Sequence, residues 1–150
     1  RRGFSNDVFA ESAAALSQRG IPVVAHIIIG LPGENLTDVL NTVDFVNSLP
    51  IQGVKLQLLH VLSDCDMADL YLSGSYSPLS KEEYISAVGS CIARLRPDIV
   101  IHRLTGDGSR DTLLAPRWSL NKRDVLNSLH RYLRDNRITQ GMDFCLGFNS

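Results

Sequence analysis

Two hydrophobic periods alternate along this chain. "IPVVAHIII" (21–29) is β-branched and apolar apart from one histidine, which reads as a strand covered on both faces. "GVKLQLLHVL" (53–62) alternates, with Val54, Leu56 and Leu58 on one side and Lys55 and Gln57 on the other. "DIVIHRLTGDG" (98–108) gives a third strand that ends in a glycine-bracketed turn. Between these runs the period lengthens to that of a helix. Residues 5–18 repeat Phe9, Ala13 and Leu16 on one face, with Ser5 or Asn6 as the cap and Gly20 as the stop. Residues 35–49 follow Asn35 as cap and Asp38 at the third helical position, with Pro50 just beyond. The "SKEE" at Ser80 is a capping box that opens a helix to about Arg96. A long basic helix over 119–136 carries Leu120, Val125, Leu129 and Leu133, and a short helical segment, Met67–Leu72, interrupts the loop before Ser80.

The order α-β-α-β-α-β-α puts a crossover helix between successive strands, so the strands near 22–29, 53–60 and 98–104 are expected to be parallel. Three strands leave both sheet edges open, which intact domains normally cover. The fold class expected is α/β, half of a (β/α)6 partial TIM barrel, with residues 1–140 in the barrel part and 141–150 as an irregular tail.

Composition adds limits. Hydrophobic residues make up 44% and charged residues 21%, an ordinary globular balance. No apolar run is long enough for a membrane helix, and no signal-peptide core follows Arg1 and Arg2, so a cytoplasmic setting is expected. The absence of an initiator methionine suggests a processed or excised piece. Cys65, Cys91 and Cys145 are too widely spaced for a disulfide framework or a metal knuckle. The net charge of −1 hides an asymmetry: residues 1–93 hold five basic and ten acidic side chains, residues 94–137 ten basic and five acidic. Such a basic segment either is a solvated helix face or attracts phosphates.

Candidate chemistry lies where polar groups interrupt the strands. One face of a parallel strand must meet helices, so polar residues at alternate positions point to the other face and toward the end where α/β enzymes hold their ligands. His26, Lys55, Gln57 and Arg103 fit that rule, one strand after another. The alternatives are a structural pair such as Lys55 with Asp107 and a core histidine bonded to a carbonyl. After the first strand, Leu31-Pro32-Gly33-Glu34 is a type II turn in which proline sets the first central position and glycine takes positive φ. Gly30 allows a close approach to the strand end, and the next helix should present N–H groups there for a ligand carboxylate.

"RRGFSNDVFAESAAALSQRGIPVVAHIIIGLPGE" resembles the middle of radical S-adenosylmethionine (SAM) enzymes. The later "GVKLQLLHVL", "PLSKEEY", "LRPDIVIHRLTGD" and "LLAPRWSLNK" resemble their bacterial YhcC-type subfamily, related to the Elongator catalytic subunit and to oxygen-independent coproporphyrinogen oxidase. The resemblance spans about residues 1–140. It implies SAM and a [4Fe–4S] cluster, and generation of a 5′-deoxyadenosyl radical that abstracts hydrogen from a substrate. It implies cofactor-binding roles for His26, Gly30, Pro32, Gly33, Glu34, Lys55, Gln57 and Arg103, and assigns no metal ligand. The family's cluster cysteines lie in an earlier loop, and Cys65, Cys91 and Cys145 do not reproduce their spacing. The expectation is therefore a C-terminal half that holds no cofactor firmly by itself and dimerises through an exposed barrel edge. Phe4 stands where relatives often carry histidine.

Two other classes compete. One is a non-catalytic RNA- or partner-binding module on segment 94–137, where Trp118 and Tyr132 are the aromatics. The other is a barrel enzyme binding phosphate at "LTGDGS" (104–109). The substrate, a small molecule or a tRNA, is not legible.

Overall fold

The computed structural model describes residues 3–106 and 108–144. Three parallel strands, β1 (Val24–Ile29), β2 (Gly53–Leu58) and β4 (Val100–Arg103), form one sheet in the order β1-β2-β4. Helix α2 (Leu36–Asn47) crosses from β1 to β2, and α4 (Lys81–Arg94) lies between β2 and β4 in the chain. Helix α1 (Asn6–Gln18) precedes the sheet, and α5 (Lys122–Asp135) packs on α4. This is the expected half-barrel arrangement of three parallel strands with flanking helices.

The caps form as the local sequence dictates. The Ser5 hydroxyl accepts from the Val8 N–H at 3.4 Å and caps α1. Asn35 with Asp38 and Ser80 with Glu83 close reciprocal capping boxes on α2 and α4. Helix α5 starts later than the hydrophobic period implied: a 3-10 turn over Arg117–Leu120 comes first, and Asn121 then caps the helix.

The core lies on one side of the sheet. Ala25, Ile27 and Ile29 of β1 and Val54, Leu56 and Leu58 of β2 meet Val39, Val43 and Val46 of α2 and Tyr84, Val88 and Ile92 of α4. Val125 and Leu129 of α5 close the far side of α4. Arg96 ties the ends of α2 and α4. Its guanidinium donates to the carbonyls of Asn47 (2.6 Å), Leu49 (3.3 Å) and Ile51 (3.2 Å) and pairs with Asp98 at 2.6 Å. Buried Asn47 completes this knot, donating to the Arg94 carbonyl and accepting from the Arg96 N–H, each at 2.9 Å.

Two expectations change. The first strand is not covered on both faces: Val24, His26 and Ile28 are exposed, while Ala25, Ile27 and Ile29 are buried. No helix described here lies over that face, so its apolar residues stay open. The run 53–62 is also not one strand. The chain leaves the sheet after Leu58, and β3 (Val61–Leu62) pairs antiparallel with β5 (Leu113–Ala115) in a separate two-stranded sheet. After α5, the Gly141 and Asp143 N–H groups dock on the Ile92 and Ala93 carbonyls. The remainder of the predicted tail, with Cys145, lies outside the described residues. Among the described residues no helix is long and apolar enough to cross a membrane.

Candidate functional site

The open face of the sheet gathers the polar strand residues. In register, His26 of β1 stands beside Lys55 of β2, and Lys55 beside Arg103 of β4. Paired residues on parallel strands share a face at about 4.8 Å spacing, so the three form a row across the sheet. Gln57 lies one repeat further toward the strand ends, beside Ile28. His26 is exposed, which removes the alternative of a core histidine. Lys55 is half-buried, and Asp107, its proposed structural partner, lies outside the described residues.

A residue that sequence reasoning passed over joins this row. The register shifts between Val54 and Lys55, because β4 carries an extra residue, His102, between the partners of those two. Its imidazole lies over Gly53, where a Cβ would come within 2.5 Å of His102 Nε2 and 3.1 Å of Val24 Cγ2. Glycine at 53 thus makes room for His102 on the same face. Two consecutive basic residues near a strand end were the faint signal of this bulge.

The turn after β1 folds as expected. The Glu34 N–H donates to the Leu31 carbonyl at 3.2 Å, and Gly33 takes φ of 78°, the geometry of a type II turn. Pro32 and Glu34 are exposed. Glu34 faces a depression of about 570 Å³ at the β1 side, lined also by His26, Ile28 and Thr42. Partial burial, with the Asp38 carboxylate nearby, raises its pKa. Gly30, at φ of 94°, does permit a close approach, and here the chain itself makes it. Leu79 packs 3.2 Å from where a Gly30 Cβ would stand, and the Tyr76 hydroxyl donates to the Gly30 carbonyl at 2.6 Å.

One expectation about this rim needs correction. The N–H groups at the start of α2 are not left for a ligand carboxylate. Asn35 Oδ1 accepts from the Thr37 N–H at 2.8 Å and the Asp38 N–H at 3.4 Å, while Asp38 accepts from the Asn35 N–H. A capping box satisfies the donors that an anion would otherwise use.

The loop after β4 is likewise filled from within. The His60 ring is enclosed by Gly106 and Gly108, with Nδ1 at 2.9 Å from the Cβ position of Gly106. His60 Nε2 lies 3.0 Å from Ser119 Oγ, and that hydroxyl donates to the Pro116 carbonyl at 2.8 Å. Ser119 can then only accept from the ring, which assigns the Nε2–H tautomer to His60. Burial and the Lys122 charge lower the pKa of His60. The glycines of "LTGDGS" are therefore occupied by an imidazole, so the phosphate-cradle reading loses its backbone concavity.

No group of three or more His, Cys, Asp or Glu side chains that could hold a metal occurs among the described residues. Cys65 is exposed, and Cys91 is buried in the core, where desolvation pushes its thiol up to about 12. The described residues do not fit an iron–sulfur cluster. The open face, with two imidazoles, an amide and an adjoining depression, offers polar contacts suited to a nucleoside.

Comparison with known proteins agrees with this architecture. The Radical_SAM C-terminal domain model matches residues 51–135, more than half of the chain. The protein YtqA of Bacillus subtilis is 34% identical over 143 residues, which is 95% of this chain and 44% of that protein. YhcC of Escherichia coli is 31% identical over 137 residues, 91% of this chain and 44% of that protein. The chain thus spans less than half the length of these relatives. Among solved structures, the archaeal Methanocaldococcus infernus Elp3 with an N-terminal deletion superposes with a TM-score of 0.76 at 14% identity, over 93% of this chain and 33% of that one. That likeness concerns the fold. With the parallel half-barrel, the domain match and relatives of the YhcC type together, the chain belongs to the radical SAM C-terminal domain family.

Proposed function

We propose that this chain is part of a radical SAM enzyme and that the open face of its sheet lines the chamber where SAM and substrate meet. The observation that carries the reading is the polar row His26–Lys55–Arg103 on an uncovered sheet face that also exposes Val24, Ile28 and Val100. When bound to the intact enzyme, SAM with a [4Fe–4S] cluster supplies a 5′-deoxyadenosyl radical for hydrogen abstraction. The contribution of this chain is position: His26 and Gln57 offer hydrogen bonds to ribose or adenine, and the Gly30–Glu34 turn forms the rim. The cluster ligands belong to another part of the longer protein, and the setting is cytoplasmic.

The test uses a longer parent that assembles the cluster. His26→Ala and Arg103→Ala should each lower deoxyadenosine yield while iron content is unchanged. Full yield in both variants refutes the site. The chain alone should bind SAM weakly and cleave none, because a few hydrogen bonds at about 0.5–1.5 kcal/mol each are offset by ordering the ligand.

The second reading, an RNA- or partner-binding module on segment 94–137, is weakened by the internal work of its arginines. Arg94 holds Asp44 through two bonds of 2.8 Å, and Arg96 is the knot between α2 and α4. Arg117, Arg123 and Arg131 remain exposed, and a tRNA stays within the proposed substrate classes.

A further inference from the structure

The ends of the three parallel strands are held by separate groups, and those groups converge on one 3-10 turn, Arg117–Leu120, between β5 and α5. The Trp118 indole N–H donates to the Leu79 carbonyl at 3.2 Å, and Leu79 is the residue that packs on Gly30 at the end of β1. The Trp118 ring also lies against the Tyr84 ring, with centroids 5.7 Å apart and planes tilted by 42°. Tyr84 is 1% exposed, and its hydroxyl hydrogen is shared between the Leu104 carbonyl (3.1 Å), just past β4, and the Leu56 carbonyl of β2 (3.4 Å). The register of β2 with β4 ends at Lys55 and Arg103, so this hydroxyl bridges the two strands where their own pairing has stopped. The next residue of the turn, Ser119, accepts from His60, the ring that fills the loop after β4, and donates to the Pro116 carbonyl.

A side chain that supports one strand end is ordinary packing. Here two consecutive residues reach all three ends, and Trp118 does so from the core, on the side of the sheet opposite the open face. Interiors are packed too densely for one of these contacts to give without moving the next. We infer that Trp118 and Ser119 are positioning residues that lock the ends of β1, β2 and β4 into one unit and so set the mouth of the chamber from behind the sheet. The part played at the chamber rests on the function proposed above, whereas the lock itself does not.

Amide hydrogen exchange of the chain separates a lock from plain stabilisation. The Leu59 N–H, bonded to the Ile29 carbonyl at 2.9 Å, reports the β1 end. The Leu113 N–H, bonded to the Ser109 carbonyl at 2.9 Å, reports the loop beyond β4. The Gly53 and Val100 N–H groups, on the Val23 and Gln52 carbonyls, report the opposite end of the sheet. Trp118→Phe removes the indole donor and keeps an aromatic ring, and Ser119→Ala removes the acceptor of His60. Each variant should speed exchange at Leu59 and Leu113 together, roughly threefold to tenfold, with Gly53 and Val100 within about twofold of wild type. A change confined to the reporter beside the altered contact overturns the lock. An equal change at all these amides makes the two residues contributors to global stability only, and overturns it as well. In a longer parent that assembles the cluster, both variants should raise the SAM concentration for half-maximal deoxyadenosine yield, with the yield at saturation nearly kept, because fewer molecules hold the competent mouth. An unchanged half-saturation overturns the positioning role. Full yield in His26→Ala and Arg103→Ala would instead remove the proposed function, and the exchange pattern would still decide the lock. Should Trp118→Phe fail to fold, Tyr84→Phe, which removes only the hydroxyl between the strands, replaces it in both measurements.

Discussion

The loop that follows β4 takes its path from His60, and Gly106→Ala tests that statement. All three heavy atoms nearest the added methyl belong to the His60 ring, Cε1 in direct overlap, Nδ1 at 2.9 Å and Nε2 at 3.4 Å. The ring cannot retreat freely, because its Nε2 is held 3.0 Å from Ser119 Oγ. Overpacking of this kind costs about 1–3 kcal/mol, and expelling the ring forfeits a hydrogen bond of about 0.5–1.5 kcal/mol. Against this, Gly106 does not lie at positive φ, so alanine is unstrained there and gains about 0.4–1 kcal/mol from a less flexible unfolded chain. The net expectation is a loss of about 1–3 kcal/mol. In a His60→Ala background the obstruction is gone, and the same Gly106→Ala change should stabilise by up to about 1 kcal/mol. Urea unfolding of the four proteins reads the coupling directly, expected at about 1–4 kcal/mol. If Gly106→Ala costs the same in both backgrounds, within about 0.5 kcal/mol, the enclosure of His60 does not explain the glycine.

His60 also predicts a pH dependence. Its folded pKa is lowered from 6.5 by burial and by Lys122, so below 6.5 the unfolded chain binds more protons; stability should fall as pH drops through 6.5, and His60→Asn should flatten that slope in unfolding experiments. Asn47→Ala should cost about 2–4 kcal/mol in urea, because it strips the partners from the Arg94 carbonyl and the Arg96 N–H, and a loss below about 1 kcal/mol would show that water replaces them. Finally, the unpaired edge of β1 beside exposed Ile28 should make the chain self-associate, and Ile28→Lys should weaken that association; light scattering that shows a clean wild-type monomer at high concentration, with no binding of a hydrophobic dye, refutes it.

How much could be read in advance depended on the distance over which each feature is decided. The caps at Ser5, Asn35 and Ser80 and the turn at Pro32-Gly33 are settled within four residues, and they stand where the sequence places them. Alternation in β2 named its buried face correctly, since Val54, Leu56 and Leu58 pack against the helices. The break after Leu58 was invisible because "LLHVL" stays apolar; what turns the chain is remote, the Leu59 N–H bonding Ile29 and the Ser63 N–H bonding Thr112. The same holds for the row. Polar residues in three strands suggested a shared face, but the register that sets Lys55 between His26 and Arg103, and the bulge that adds His102, are properties of the pairing. For β1, an apolar run cannot tell a strand covered twice from one that, among the described residues, is covered once.

The rim and the face of this sheet are built on opposite principles. At the end of β1, Tyr76 and Leu79 hold Gly30 from the loop before α4. At the end of β4, the Tyr84 hydroxyl donates to the Leu104 carbonyl at 3.1 Å, and His60 anchors the turn beyond it through Ser119. Both of these strand ends are thus fixed by side chains from elsewhere in the same chain, and Gly30 and Gly106 are where Leu79 and His60 enter. The face between these fixed ends carries basic groups, of which Lys55 has no carboxylate partner among the described residues. A fixed rim keeps the row His26–Lys55–Arg103 in one geometry, so a ligand that binds it need not pay to order the loops. Loosening the rim should therefore weaken ligand binding at a face it does not touch. Tyr76→Phe, which removes only the 2.6 Å bond to Gly30, should lower the deoxyadenosine yield of a longer parent without changing its iron content. An unchanged yield would show that the face keeps its geometry without that bond.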